Sequence, residues 1–384
     1  MPANDWVYGP KQYVHDIAEI LGKKHEVFVW HFNLLHNEKP CVQDVENVKL
    51  VSSRAIPSKS LLIYYAVNFL PSSLAFARTV RKLEIDVVIA LNLIPALWAF
   101  GLAPSKALKV FGFQDYFPES ASVYYKKFPR VLRRIIETFA LCVNKVSIRL
   151  ADLVMCPCYS LINLSEEMGC KRTHFMTNGV DVNFFDPSKT DETLREKLGL
   201  SKNTLVFYGL LENWLDFKTV LEGLRLIKKD IPDTKLLVIG STLTNYTKVL
   251  EKMLQETDLA NDVVLTGYVP NELVPYYINL GDMCIMPYKI DNFSGKIRLP
   301  IKFFVYSSMG KPILSVALPE VKRFNPDHVF FYDNPEEFAI HARKVLKSKQ
   351  LKNDLAHYAR DFSKDFDFTK LAKDCETVIE QLKQ

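Results

Sequence analysis

One pattern runs twice along this chain: a short, almost wholly apolar stretch that reads as a strand, then a longer stretch with helical periodicity. In the first half the strand-like runs are "HEVFVWHF" (25–32), "DVVIAL" (86–91), "ALKVFGF" (107–113) and "DLVMCPC" (152–158). Helical patterns fall at 12–21, 94–103 and 130–151. In the second half "TLVFYGLL", "KLLVIGS", "DVVLTGYV", "DMCIMPY" and "KPILSVA" alternate with helical runs such as "FKTVLEGLRLIKKDI" and "VLEKMLQETDL". Strands with no polar face must be covered on both sides, which means parallel sheets clothed by crossover helices. Two such sets predict an α/β chain of two Rossmann-like domains. The boundary is expected between 178 and about 190, and a length of 384 residues suits two domains. One strand is missing from the pattern. The chain opens on "MPANDWVYGPKQYVHDIAEIL", a polar loop and a helix, although the first strand of a doubly wound sheet is usually central. An upstream in-frame extension encoding about six apolar residues is therefore expected.

Charge narrows the partners. The net charge is +5, but 1–180 hold 21 Lys+Arg against 15 Asp+Glu, and the remainder holds 28 against 29. A basic first half suits a phosphate-bearing ligand or an anionic membrane surface. Its cations are not interleaved with regularly spaced aromatics, so nucleic acid is not an expected partner. Seven cysteines without regular spacing build no disulfide framework, and Cys156-Pro157-Cys158 is a poor zinc half-site with no second pair. No metal site is expected, and free thiols suit a reducing, cytoplasmic setting. The apolar run 87–103 is short for a membrane span and carries Asn92 and Pro95 in its middle. There is no G-x-G-x-x-G after a strand, no G-x-x-x-x-G-K-[ST], no H-E-x-x-H and no G-x-S-x-G. Nicotinamide redox, P-loop and metalloprotease chemistry lose support.

The segment "SGKIRLPIKFFVYSSMGKPIL" (294–314) does suggest chemistry. Ser294 and Gly295 allow close backbone approach. Lys296, Arg298 and Lys302 supply positive charge, and Pro300 suits the start of a helix. A helix N-terminus beside cations is a natural anion site. A solvated basic turn is the competing reading, strongest for Lys296.

"TNGVDVNFFDP" (177–187) resembles the interdomain signature of family 4 glycosyltransferases. Segments in the family's order follow it: "LVFYGLLENWLDFKTVLEGLRLIKKDIPDTKLLVIGS", "VVLTGYVPNELVPYYINLGDMCIMPY" and "LPIKFFVYSSMGKPIL". Before it, "YGPKQYVHDIAEIL", "DVVIALNLIPAL" and "QDYFPES" also fit. The resemblance implies the GT-B fold, two Rossmann-like domains whose parallel sheets face a central cleft. It implies an acceptor-side domain over 1–180 and a nucleotide-sugar domain over 181–365. A last helix over 366–384 would cross back to the first domain. Donor contacts carry over to Gly209, Ser294, Gly295, Lys296, Arg298, Lys302, Val305 and Tyr306. Acceptor-side contacts carry over to Gly9, Lys11 and Gln114.

Three departures stand out. Many members carry two glutamates eight positions apart in the donor segment. Here those positions are Ile297 and Val305, and a valine cannot accept a bond from a ribose hydroxyl. Losing one charge-assisted bond weakens affinity by roughly 1.5–3 kcal/mol. Pro300, Lys302 and Tyr306 keep the P-x-K-x-x-x-Y frame of a related subgroup. The turn after "LVFYG" has Leu210, Leu211 and Asp216 where many members have Arg and Lys. Gln114-Asp115 stands where many have His-Asp.

The implied activity is hexosyl-type transfer from a nucleotide-diphosphate sugar to a glycan or lipid-linked glycan acceptor, metal-independent and retaining, in cell-surface polysaccharide or glycoprotein glycan assembly. Asp115 would orient sugar or acceptor; an inverting alternative makes it the general base. A fold that has lost catalysis and serves as a binding scaffold, which Val305 favours, and a nucleotide-sugar epimerase stay open. Finally, "YKKFPRVLRR" (125–134) sets Lys126, Lys127, Arg130, Arg133 and Arg134 at a helix start among apolar residues. That is expected to make a peripheral contact with the anionic inner face of the cell membrane.

Overall fold

A computed structural model describes residues 13–32, 47–53, 56, 61–91, 93–116, 118, 128–241, 245–290 and 293–383. The chain divides into two compact units. One comprises 1–178 with 368–384, the other 179–367.

In unit 1, α1 (Tyr13–Gly22), β1 (Val27–Phe32), β2 (Val48–Ser53) and α2 (Leu61–Leu83) precede β3 (Val87–Leu91), α3 (Leu93–Leu102) and β4 (Leu108–Gly112). Then come α4 (Arg130–Leu150), β5 (Leu153–Cys156), α5 (Tyr159–Glu167) and β6 (Thr173–Phe175). Strands β3, β4, β5 and β6 form one parallel sheet in sequence order, with Val87 beside Leu108 and Val110 beside Leu153. Strands β1 and β2 form a separate parallel ladder, from Val27 beside Val48 to Phe32 beside Ser53. Every residue of β5 is buried, as the unbroken run "LVMC" requires. The last helix of the chain, α15 (Phe368–Lys383), belongs to this unit. Its Phe368, Leu371, Cys375 and Ile379 close over Val110, Leu153, Met155 and Met176, with Ile20 and Leu21 of α1 at the margin.

Unit 2 alternates more regularly. After α6 (Glu192–Lys197) come β7 (Thr204–Tyr208), α7 (Phe217–Lys228), β8 (Lys235–Ile239), α8 (Tyr246–Gln255) and β9 (Val263–Gly267). Next are α9 (Val274–Asn279), β10 (Met283–Met286), α10 (Phe293–Lys296), α11 (Ile301–Ser308) and β11 (Ile313–Val316). The unit ends with α12 (Pro319–Lys322), β12 (Val329–Tyr332), α13 (Pro335–Leu346) and α14 (Lys349–Ser363). The parallel sheet runs β12-β11-β10-β7-β8-β9. Order reverses between β7 and β10, and in such sheets ligands lie outside the carboxyl ends of the strands at that switch point.

Candidate functional site

The chain leaves β7 at Tyr208 and turns at Gly209, whose φ of +130° favours glycine. A Cβ at Gly209 would lie 2.4 Å from Cε of Lys302, so a side chain here would push the end of the lysine from its place across this turn. The neighbouring turn after β8 is as tight: a Cβ at Gly240 would fall 2.1 Å from the Gly209 carbonyl oxygen. Beyond Gly209 the loop is fastened to the chain leaving β10. Leu215 bridges Tyr288, Asp216 N donates to Pro287 O at 2.7 Å, and Lys289 N donates to Trp214 O at 2.8 Å. Asp216 caps α7, accepting from Thr219 N and, at 2.7 Å, from Thr219 Oγ1. Two loops at the switch point thus hold Trp214 and Tyr288 in place.

The third wall is the start of α11, reached through Pro300 in extended conformation. Lys302 is half-buried and donates from Nζ to Tyr288 Oη at 3.2 Å. Its ammonium lies 5.4 Å from the Phe207 ring centroid and 5.6 Å from that of Tyr288. The Arg298 guanidinium stands 4.9 Å from the Tyr288 centroid and 5.8 Å from that of Trp214. These contacts hold both cations over aromatic faces beside the start of α11. Leu210, Trp214, Tyr288, Arg298, Pro300 and Lys302 line an open recess of about 260 Å³. Such a pocket offers flat apolar surface for a base and concentrated positive charge for an anion.

Among the residues expected from sequence, Gly209, Arg298 and Lys302 come together at this recess. Gly295 is buried on the short α10, Lys296 is exposed on it, and Ser294 lies in the same turn. Val305 and Tyr306 differ from expectation. Both are in the core, 3% and 0% exposed. Tyr208 N donates to Tyr306 Oη at 2.8 Å, and that hydroxyl lies 3.4 Å from Tyr208 O. Burial pushes the Tyr306 hydroxyl pKa well up, so it stays protonated. Direct donor contact from Tyr306 is thus corrected to a positioning role: it fixes the end of β7 from which Gly209 turns. Position 305 is a buried apolar seat in this chain, where an unpaired carboxylate would be costly. Trp214 is a lining residue that sequence reasoning missed, and Tyr288 is another. Its signal is its place two residues past the apolar run "MCIM", at a strand's carboxyl end.

In unit 1, Asp115 is exposed and Gln114 half-buried just past the carboxyl end of β4. The Gln114 Nε2 is buried with no hydrogen-bond partner among the described residues, and so is Thr177 Oγ1 past β6. Arg130, Arg133 and Arg134 lie in the first turns of α4. Gly9, Lys11, Lys126 and Lys127 fall outside the described residues.

Comparison with known proteins matches both halves. Residues 7–184 match the family model described as Glycosyltransferase Family 4, and 190–362 match Glycosyl transferases group 1. TuaH of Bacillus subtilis, whose name assigns it to teichuronic acid biosynthesis as a glycosyltransferase, is 30% identical over 181 residues. That alignment takes in 46% of this chain and 43% of TuaH, so this chain spans less than half the length of that relative. Among solved structures, HepE of Anabaena in complex with UDP and glucose superposes with a TM-score of 0.70 at 16% identity, covering 96% of this chain and 95% of HepE. Sucrose-phosphate synthase of Thermosynechococcus elongatus gives 0.74 at 16%, covering 96% and 92%. With both family models in chain order and the fold shared from end to end, the chain belongs to the family 4-type glycosyltransferases of GT-B fold.

Proposed function

We propose that this protein takes a hexosyl group from a nucleotide-diphosphate sugar and delivers it to a glycan or lipid-linked glycan of cell-surface assembly, with retention and without a metal. The observation that carries the donor half is the recess at the β7/β10 switch point, where Lys302 and Arg298 converge beside Trp214 and Tyr288 at the start of α11. Breaking the glycosidic bond leaves a diphosphate whose charge must be stabilised. Fixed cations and a helix N-terminus do this without reorganising. UDP is the nucleotide to try first, since HepE is described in complex with UDP and with UDP-glucose. The name of TuaH supports an envelope glycan as the acceptor class. Asp115 is assigned to orienting the sugar or acceptor, with the diphosphate taking the acceptor's proton. The arginines opening α4 are assigned to a peripheral contact with an anionic membrane face, which suits a lipid-linked acceptor on the cytoplasmic side.

Titration calorimetry with UDP tests the donor site. Lys302→Ala is expected to lower affinity by at least about tenfold, the loss of one charge-assisted contact. Equal affinities for variant and parent would refute the assignment. A binding scaffold is the second reading, favoured by the apolar seat at Val305. Release of UDP from UDP-sugars above the uncatalysed rate separates the two, and NMR of the product anomer decides retention.

A further inference from the structure

The hydroxyl of Tyr288 is placed for a task that packing alone does not require. Its backbone is fixed at the switch point: Leu215 bridges Tyr288, and Tyr288 N donates to Met286 O at 3.1 Å. The residue is buried to 5% exposure, yet it lines the recess. Lys302 Nζ donates to its Oη at 3.2 Å. An ammonium has three donors and no acceptor, so in this contact the phenol oxygen must accept. The single proton of the phenol therefore points away from Lys302. Among the described residues no second hydrogen-bond partner takes it. The lysine is itself held: a Cβ at Gly209 would lie 2.5 Å from Nζ, which sets the ammonium against the turn that leaves β7. The Tyr288 ring carries charge at close range, with the Arg298 guanidinium 4.9 Å and the Lys302 ammonium 5.6 Å from its centroid. A cation bonded to the oxygen draws density from the O–H and makes it a stronger donor. Beyond Gly209 the turn presents Leu210 and Leu211, whose side chains donate nothing.

We infer that the Tyr288 hydroxyl donates a hydrogen bond to the leaving diphosphate, aimed and polarised by Lys302. The inference rests on the nucleotide-sugar site proposed above and adds a neutral donor beside its two cations. As the bond from the anomeric carbon to the phosphate oxygen breaks, its electron pair stays on the diphosphate. The acceptor oxygen forms the new bond to that carbon, and its proton passes to the diphosphate. Tyr288 keeps its own proton and shares it through the hydrogen bond. A donor fixed before the charge develops stabilises it without reorganising. A phenol is suited to this place because it can receive from an ammonium and give to an anion through one atom, which neither lysine nor arginine can do.

Titration calorimetry of the full chain with UDP, on the parent, Tyr288→Phe, Lys302→Ala and the double variant, tests this. Tyr288→Phe keeps the ring under the cations and removes only the hydroxyl. It is expected to weaken UDP binding by about tenfold or more, the loss of one charge-assisted bond, with unchanged melting temperature. The double variant separates donation from mere support of the lysine. If the phenol acted only by holding Lys302, its removal after Lys302→Ala would change nothing; as a donor in its own right it still weakens UDP, by about threefold or more. With 13C at the tyrosine Cζ positions, the resonance missing from Tyr288→Phe is expected to move when UDP binds the parent. Parent-like affinity in Tyr288→Phe would overturn the inference and leave the nucleotide-sugar site standing, provided that Lys302→Ala still weakens UDP. No further loss in the double variant, or a Cζ resonance unmoved by UDP, would make Tyr288 a positioning residue and overturn the inference as well. UDP bound equally by parent and variants, or not bound by the parent, would remove the site and this inference with it.

Discussion

His328 packs 1% exposed against α11, its ring stacked on Phe303 at 6.0 Å. Ser307 Oγ donates to Phe303 O at 2.7 Å, so at its 2.7 Å contact with His328 the hydroxyl must accept, and the proton sits on Nε2. Burial lowers the His328 pKa to about 4, against an ordinary 6.5. The unfolded chain therefore binds a proton between these values and the folded chain does not. Stability from this residue is complete above pH 6.5 and drains away as pH falls towards 4, by about 3 kcal/mol. Urea titrations across that window should show the slope, and His328→Gln should flatten it relative to the parent. A parallel slope in the variant would assign the loss to other groups. The same scale holds the one catalytic assignment. Asp115 is exposed and contributes no visible packing, so Asp115→Asn is expected to leave folding and UDP affinity alone. It should lower turnover by more than about tenfold, the usual size of a general acid–base or orienting contribution. Unchanged turnover would discard both the orienting and the base role.

Arg360 of α14 binds together elements that the sequence keeps far apart. Its guanidinium donates to Val182 O at 2.9 Å, Phe185 O at 3.1 Å, and Ser308 O and Oγ at 2.8 Å each. It also pairs with Asp186 at 2.7 Å. The segment 182–186 is thereby tied to the last turn of α11, the helix whose first turn lines the recess. Lysine cannot reproduce this planar fork. Arg360→Lys should destabilise unit 2 by about 2–4 kcal/mol, read as a lower midpoint in chemical denaturation; a change within error would show the clasp to be dispensable. The clasp also explains why "TNGVDVNFFDP" is legible in the sequence. Asp181 accepts from the amides of Asn183 and Phe184, and Asp186 from that of Ser188, so each aspartate encodes a turn in its own neighbourhood. Strands β3, β4, β5, β7, β8 and β10 are legible for a related reason: each is apolar at all but at most one position, Lys109 in β4, Thr204 in β7 and Lys235 in β8. Helix α2 is not. Pro71 stands inside it, and Ile63, Val67, Leu70 and Leu74 face outward while Phe76, Ala77 and Val80 are buried, so its periodicity does not announce a solvent-facing helix. Tyr288 and Trp214 escape as a pair because their meeting depends on pairing between two loops more than seventy positions apart, which no local pattern encodes.

At the scale of the molecule, each unit has its own sheet and its own core, and the chain visits unit 1 twice. It leaves at 178, completes unit 2 by 367, and returns as α15. That return is structural. Phe368, Leu371, Cys375 and Ile379 are buried against Val110, Leu153 and Met155, at the heart of the β3–β6 sheet. Removing four such side chains from the core takes away roughly 6–12 kcal/mol of apolar burial, which is comparable with the whole stability of a domain. The donor recess draws all its lining from unit 2 and none from α15. Deleting 368–384 is therefore expected to separate the two halves in a calorimetric scan. The unit 1 transition should broaden or vanish, while the unit 2 transition persists. UDP at a hundred times its dissociation constant should still raise that second transition by about 5–10 °C, since a ligand adds about 2.7 kcal/mol to whichever unit holds it. Loss of both transitions would mean that unit 2 depends on unit 1 for its fold. An upward shift of the unit 1 transition with UDP would mean that the donor is not held where Lys302 and Arg298 converge.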